Sequence, residues 1–147
     1  MTTQPATPLS ELNPSASGYP FCEVFRVQSD GVTDVDVWNI PVGTIITDVF
    51  VVVVTAGDGS TTNYVAVGDS SDEDGFIAGF NPASTAGTVI GDDPTERGDY
   101  LYDSTKKSLC GKAYMTTSKL EVACEVTTNT TDPIFDIIVM GVRIHYG

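Results

Sequence analysis

One stretch decides the fold class of this chain: Ile40-Pro41-Val42-Gly43-Thr44-Ile45-Ile46-Thr47-Asp48-Val49-Phe50-Val51-Val52-Val53-Val54-Thr55-Ala56. Many of its residues are β-branched, and stiff side chains of this kind suit a pleated sheet. Pro41 and Gly43 interrupt the chain before the apolar run, and turn residues follow it. The stretch therefore predicts a central β-strand. A transmembrane helix is not expected, because the uninterrupted apolar part is far shorter than the ~20 residues that a bilayer requires.

Both faces of this predicted strand are apolar. Strict alternation places Ile45, Val49, Val51 and Val53 on one face, and Ile46, Phe50, Val52 and Val54 on the other. One face is expected to pack on an opposite sheet, so the second needs a loop, an N-terminal arm or a neighbouring subunit as cover. We therefore expect Val51 and Val53, or their neighbours Val52 and Val54, to be buried by another chain.

Asp48 is the charged residue within this run. A carboxylate among apolar neighbours must find water, a donor or a cation. Asp48 is therefore expected to lie where one face is either open to solvent or paired, with Arg26 or Arg143 as the candidate partner.

Length and composition favour one soluble β-domain with a tail. The chain has 147 residues, of which 41% are hydrophobic and 18% charged, so it is long enough to bury a core without staples. Its net charge of −13 repels phosphate backbones and anionic membrane surfaces, so neither nucleic acid nor a membrane is expected as a partner. The acidity is consistent with a cationic partner, bound metal ions or salty surroundings, but maintaining solubility is the simpler interpretation.

The cysteines indicate neither a disulfide framework nor a zinc site. Cys22, Cys110 and Cys124 form an odd set without CxxC spacing. Met1 is not followed by a basic segment and an apolar run, so no signal peptide is expected and synthesis in a reducing cytoplasm is the simplest assumption.

Residues 1–20 are predicted to form an extended, proline-rich N-terminal arm, and residues 21–147 a β-sandwich domain. Closely spaced prolines favour irregular or polyproline-like backbone, which becomes ordered only by lying on something else. Leu9 and Leu12 are the larger apolar side chains available to the arm.

Alternating patterns predict most of the remaining strands. Residues 21–28 and 33–37 suggest a hairpin that turns at Asp30-Gly31. Residues 119–127 alternate strictly, which predicts a core face of Leu120, Val122, Cys124 and Val126. The last strand, residues 134–146, is expected to have a bulge near Asp136 and to place inward Ile138, Met140, Val142 and Ile144. Residues 76–108 suggest loops and short edge strands, and the whole pattern predicts an all-β, jelly-roll-like single sandwich.

No catalytic, cofactor or metal residues are predicted. The acidic loop of residues 69–75 suggests either a fragment of a calcium loop or a solvated turn, and the turn is favoured because Asn81 stands where a bidentate Glu is required. Residues 92–96 suggest a surface loop. His145 is the sole histidine and lies two residues from the end, a poor position for a general base. No glycine-rich phosphate loop is present either. We therefore expect a protein that is not an enzyme.

Three aromatic residues are candidates for contacts. Trp38 stands at the end of an alternating segment and is expected to be a core or interface anchor. Tyr100 and Tyr102 share one face of a short strand and are candidates for an exposed aromatic contact.

Three segments resemble small structural proteins of tailed bacteriophages, namely residues 39–56, Tyr64-Val-Ala-Val-Gly-Asp69 and Asp72-Glu-Asp-Gly-Phe76. The family is that of β-sandwich capsid decoration, or cement, proteins. The resemblance implies a homotrimeric subunit on the exterior of the virion, with the major capsid protein as its partner and its arm over neighbouring coat proteins. The alternative is a carbohydrate- or receptor-binding module of a head fibre or tail, with the loops around Asp72 and Asp92 as its site.

The residues expected at a capsid or subunit interface come from the arm, the central strand and the aromatic candidates. They are Pro5, Pro8, Leu9, Leu12, Pro14, Trp38, Val51, Val53, Tyr100 and Tyr102.

Overall fold

The computed structural model describes residues 17–29, 34–58, 63–126 and 130–145. In these ranges the strands are β1 (Ser17–Gln28), β2 (Val35–Ile40), β3 (Thr44–Thr55), β4 (Tyr64–Gly68), β5 (Ile77–Phe80), β6 (Val89–Ile90), β7 (Tyr102–Asp103), β8 (Ser108–Leu109), β9 (Lys112–Tyr114), β10 (Ser118–Glu125) and β11 (Ile134–His145). A short 3-10 helix spans Pro94–Glu96. No helix in the described ranges is both long enough and apolar enough to cross a membrane.

The strands form two antiparallel sheets and a small ribbon. The larger sheet has the order β1-β11-β3-β6, with β9 also pairing with β3, and the smaller sheet has the order β2-β10-β4-β5. β7 pairs with β8. The chain passes from one sheet to the other between β1 and β2, β2 and β3, β3 and β4, β5 and β6, and again before and after β10. This crossing pattern is that of a jelly roll, and it confirms the predicted all-β sandwich.

The core lies between the two sheets. The larger sheet contributes Val49, Val51, Val53, Phe135, Ile137 and Val139, and the smaller sheet contributes Val65, Val67, Leu120, Val122 and Cys124. The predicted core face of β10 is confirmed, including the buried thiol of Cys124. Val51 and Val53 are 0% and 2% exposed within the single chain, so they have no free surface for a second chain. This corrects the expectation that these two valines form an interface.

A β-bulge changes the faces predicted for β3. Asp48 pairs with Met140 and Ile46 pairs with Gly141, which leaves Thr47 as the extra residue. Ile46 therefore points into the core together with Val49, and Ile45 lies on the opposite face. Strict alternation assigned these two isoleucines the other way round.

The inward face of β11 is the opposite of the predicted one. Phe135, Ile137 and Val139 are buried, whereas Ile138, Met140, Val142 and Ile144 are only partly buried or exposed. Both parities of this strand are apolar, so the pattern alone could not select the inner face. A register shift does lie between Ile134 and Phe135, near the predicted position, but its extra residue is Val54 on β3.

β1 differs from its prediction in start and partner. It begins at Ser17, so the last four residues assigned to the arm belong to the sheet. β1 pairs with β11 in the larger sheet and β2 pairs with β10 in the smaller one, so the predicted hairpin is wrong. Turn chemistry at Asp30-Gly31 indicates a change of direction, but it cannot show whether the next strand stays in the same sheet.

Candidate functional site

The most extensive candidate surface is the outer face of the larger sheet. We define it as the side of β1, β11 and β3 that points away from the smaller sheet. The register aligns its side chains in rows such as Val24, Ile138 and Phe50. The exposed fractions are 57% for Val24, 39% for Val142 and 37% for Val54. Its apolar members are Pro20, Val24, Ile45, Phe50, Val52, Val54, Ile134, Ile138, Met140, Val142 and Ile144.

Two ion pairs account for charged groups on this face. Arg26 donates to both carboxylate oxygens of Asp136 at 2.8 and 2.9 Å, and this contact lowers the pKa of Asp136 from its usual range. Asp48 accepts from Nη1 of Arg97 at 2.9 Å. Because the opposite charges pair, the outer face combines apolar area with little net charge.

Asp48 pairs with Arg97, whereas Arg26 or Arg143 was expected as its partner. Along the edge of β3, β6 pairs with Val51 and Val52, and β9 pairs with residues 44–46. The side chain of Arg97 reaches the part of this edge that lies between β6 and β9. Its Nε also donates to the carbonyl of Gly91 at 2.9 Å. The guanidinium is 5.6 Å from the ring of Phe50. Arg97 is 49 residues from Asp48 in sequence, so only the fold brings them together.

Trp38 packs in an aromatic cluster on the flank where β1 and β2 form the edges of the two sheets. Its ring lies 5.9 Å from Phe21 and 5.5 Å from Phe25, and the guanidinium of Arg143 lies 5.8 Å from it. Trp38 is partly buried against the core of its own chain. This agrees with the expectation that Trp38 is a core anchor. The alternative, a contact with another subunit, stays a prediction.

Tyr100 is not part of an exposed aromatic strand face. It lies in a turn before β7, its ring meets Phe76 edge-on at 5.2 Å, and its hydroxyl donates to Asp69 at 3.0 Å. Burial first, and the hydrogen bond to Asp69 next, raise the pKa of Tyr100 to about 12. Tyr102 is partly buried in β7. The predicted shared face is therefore wrong, because Tyr100 is turned inward.

Asp69 anchors the acidic loop from inside the protein. It is 3% exposed and accepts hydrogen bonds from the backbone N–H groups of Ser71 and Asp72 and from the hydroxyls of Tyr100 and Tyr114. Burial and this carboxylate raise the pKa of Tyr114. The loop was predicted to be a solvated turn, which is wrong at Asp69. Asp69 is a buried acceptor that holds together hydrogen-bond donors from three parts of the chain.

The other candidates are distributed as follows. Asp93 caps the 3-10 helix by accepting from the N–H of Thr95 at 2.8 Å, which agrees with a surface loop at residues 92–96. His145 is exposed at the end of β11. Among the residues that the structure describes, no group of three or more His, Cys, Asp or Glu side chains is arranged to hold a metal ion. The arm residues Pro5, Pro8, Leu9, Leu12 and Pro14 lie outside the described ranges, so their contacts stay predictions.

Comparison with known proteins gives a fold likeness. No protein-family model and no curated protein matches the chain. A chain of the structure described as "Cyanophage Pam1 capsid asymmetric unit" matches with a TM-score of 0.59 and 14% identity, over 97% of this chain and 93% of that chain. A chain of "Acidic stable capsid structure of Helicobacter pylori bacteriophage KHP30" matches with a TM-score of 0.50 and 10% identity, over 88% and 98%. At these identities the shared property is the fold.

Proposed function

We propose that this chain is a structural protein of a phage virion, a decoration or cement subunit that binds the exterior of the head and stabilises contacts between coat proteins. The observation that carries the proposal is the fold likeness, which extends over nearly the whole of both chains in two phage capsid structures. The likeness covers the entire jelly roll, so it is more than a shared local motif.

The outer face supplies a surface suited to this role. Contiguous apolar area with paired charges is a feature of surfaces that bind other proteins. In the proposal the outer face and the N-terminal arm together contact the major capsid protein. The protein binds only assembled coat, and each bound copy therefore shifts the equilibrium towards the assembled state. Repetition over the lattice of the head multiplies this effect.

The proposal also includes the partners of the subunit and its placement in the virion. The subunit is a homotrimer on the exterior of the virion, made in the host cytoplasm, and it acts without catalysis or cofactor. The contacts of the buried Asp69 support the part of the proposal that concerns cofactors, because hydrogen bonds within the chain organise this acidic loop.

The test is binding of purified protein to phage heads that lack it. Val24→Lys places a charge on the outer face at the most exposed of its valines, and we expect it to weaken binding by roughly tenfold or more, as the loss of an important interface contact does. The matched control is Val42→Lys, since Val42 is 45% exposed and precedes β3 outside the outer face. Deletion of residues 2–16, which leaves β1 complete, is expected to lower the occupancy of heads.

Two results would contradict the proposal. Equal occupancy by wild-type protein and Val24→Lys would remove the outer face from the binding surface, and undiminished binding by the deletion variant would remove the arm. Failure of the wild-type protein to bind heads, combined with binding to a glycan array that depends on residues 69–75 or 92–96, would favour the receptor-binding alternative.

A further inference from the structure

The outer face is a narrow strip that remains exposed in the part of the chain that the structure describes. It is three strands wide and follows β1, β11 and β3, each of which has 12 residues. At ~4.8 Å between strands and ~3.3 Å per residue, the strip is roughly 10–15 Å wide and roughly 40 Å long. A typical stable protein interface buries about 800 Å² on each partner, somewhat more than such a strip offers. One extended chain segment matches its shape better.

A segment of suitable length is attached to one end of the strip. Sixteen residues precede Ser17, the first residue of β1, and at ~3.3 Å per residue they can extend roughly 50 Å. Ser17 pairs with His145, so the strip starts where this segment joins the sheet. A segment that reversed direction there could follow the strip along its length.

Two leucines of the segment are within reach of apolar rows of the strip. Leu12 and Leu9 precede Ser17 by five and eight residues, so they can reach ~17 and ~27 Å from it. The row of Val142 begins three residues after Ser17 and the row of Ile138 begins seven residues after it, at ~10 and ~23 Å along β1. Each leucine therefore has a row within its reach.

The composition of the segment favours packing on the face of the sheet over pairing at its edge. Pro5, Pro8 and Pro14 cannot donate backbone hydrogen bonds, so the segment cannot extend the sheet as a regular edge strand beside β1. The Asn13-Pro14 dipeptide is a turn signal placed between Leu12 and Ser17, where the chain has to reverse. Glu11 is its single charged side chain, which suits a strip whose charges are paired.

We propose that residues 1–16 fold back over the outer face of the larger sheet of their own chain, with Leu12 beside the row of Val142 and Leu9 beside the row of Ile138. The arm then covers the second apolar face of β3 in the free protein, and it has to leave this face before both can contact coat protein as proposed above. The proposal does not depend on capsid binding, so it can fail while the proposed function stands.

The native cysteines provide the test. Cys22 pairs with Met140 of β11 on the outer face, under the proposed path of the arm, and it is exposed in the described structure. Cys110 is also exposed but follows β8, away from β1, so it serves as an internal reference, and Cys124 is buried. The measurement is the rate at which a water-soluble disulfide reagent modifies Cys22, relative to Cys110, in dilute protein without capsids.

We expect deletion of residues 2–16 to raise the relative rate at Cys22 by about fivefold or more, because removal of a covering segment opens the site. The double variant Leu9→Ser/Leu12→Ser leaves the chain length unchanged and is expected to raise it in the same direction. An unchanged ratio in both variants would overturn the proposal. Protection that disappears on dilution would also overturn it, because the covering arm would then belong to a second copy.

Discussion

At the scale of single residues, Asp69 is the most heavily used polar side chain of the described structure. Tyr114, which is 5% exposed, donates to it at 2.7 Å. Tyr114→Phe should leave a buried carboxylate short of one donor, and we expect it to lower the free energy of unfolding by about 2 kcal/mol in urea denaturation. Tyr100→Phe should cost less, because Tyr100 is partly exposed and water can replace its hydroxyl. Tyr102→Phe is the matched control, and equal losses in all three variants would contradict this role.

A second prediction concerns the carboxyl pair of the same loop. The hydrogen bond with Asp74, followed by burial, raises the pKa of Asp72 above its ordinary value of 3.8. The folded state thus holds this proton more tightly, so the contribution of Asp72 to stability falls as the pH rises through its folded pKa. We expect Asp74→Asn to raise the melting temperature at neutral pH, and the gain to shrink as the pH falls towards 3.8. Glu73→Gln is the control, and a gain independent of pH would contradict the pairing.

At the scale of elements, the bulge of β3 depends on the absence of a side chain in β11. A Cβ added at Gly141 would lie 1.9 Å from the carbonyl oxygen of Ile45, so backbone would have to move. We expect Gly141→Ala to destabilise the protein by about 3 kcal/mol or more in denaturant unfolding, as overpacking against rigid backbone does. Gly18→Ala is the control, since its nearest contact, at 3.8 Å, is ordinary. Similar stabilities of the two variants would show that the sheet adjusts there.

At the scale of the whole molecule, the charge of −13 opposes association of copies. If the free protein is a homotrimer, as proposed, its population should rise with ionic strength, because salt screens this repulsion. Sedimentation should then give a mass near three times 15.6 kDa. A stable monomer at every salt concentration would contradict the homotrimer, while leaving assembly on the capsid open to the binding test.

The sequence predicted the sandwich and one core face because β10 alternates apolar side chains with charged ones. It could not select the inner faces of β3 and β11, because both faces of each strand are apolar. It also did not indicate the bulge of β3 opposite Gly141. It also missed the pairing of Asp48 with Arg97 and the inward turn of Tyr100, since these contacts join residues far apart in the chain. The apolar second face of β3 was visible in the sequence, but its extension across β1 and β11 required the register.

The order of strands has a consequence for how this chain can be made. β11 lies between β1 and β3 in the larger sheet, and β10 lies between β2 and β4 in the smaller one. In each sheet one inner strand is thus synthesised after all the other strands of that sheet, and β1 must wait for a partner more than 100 residues away. Neither sheet can close before β10 and β11 have been synthesised, and pairing at such separations makes folding slow. Fragments that end before Ile134 should therefore aggregate or be degraded, whereas chains that contain β11 can close both sheets.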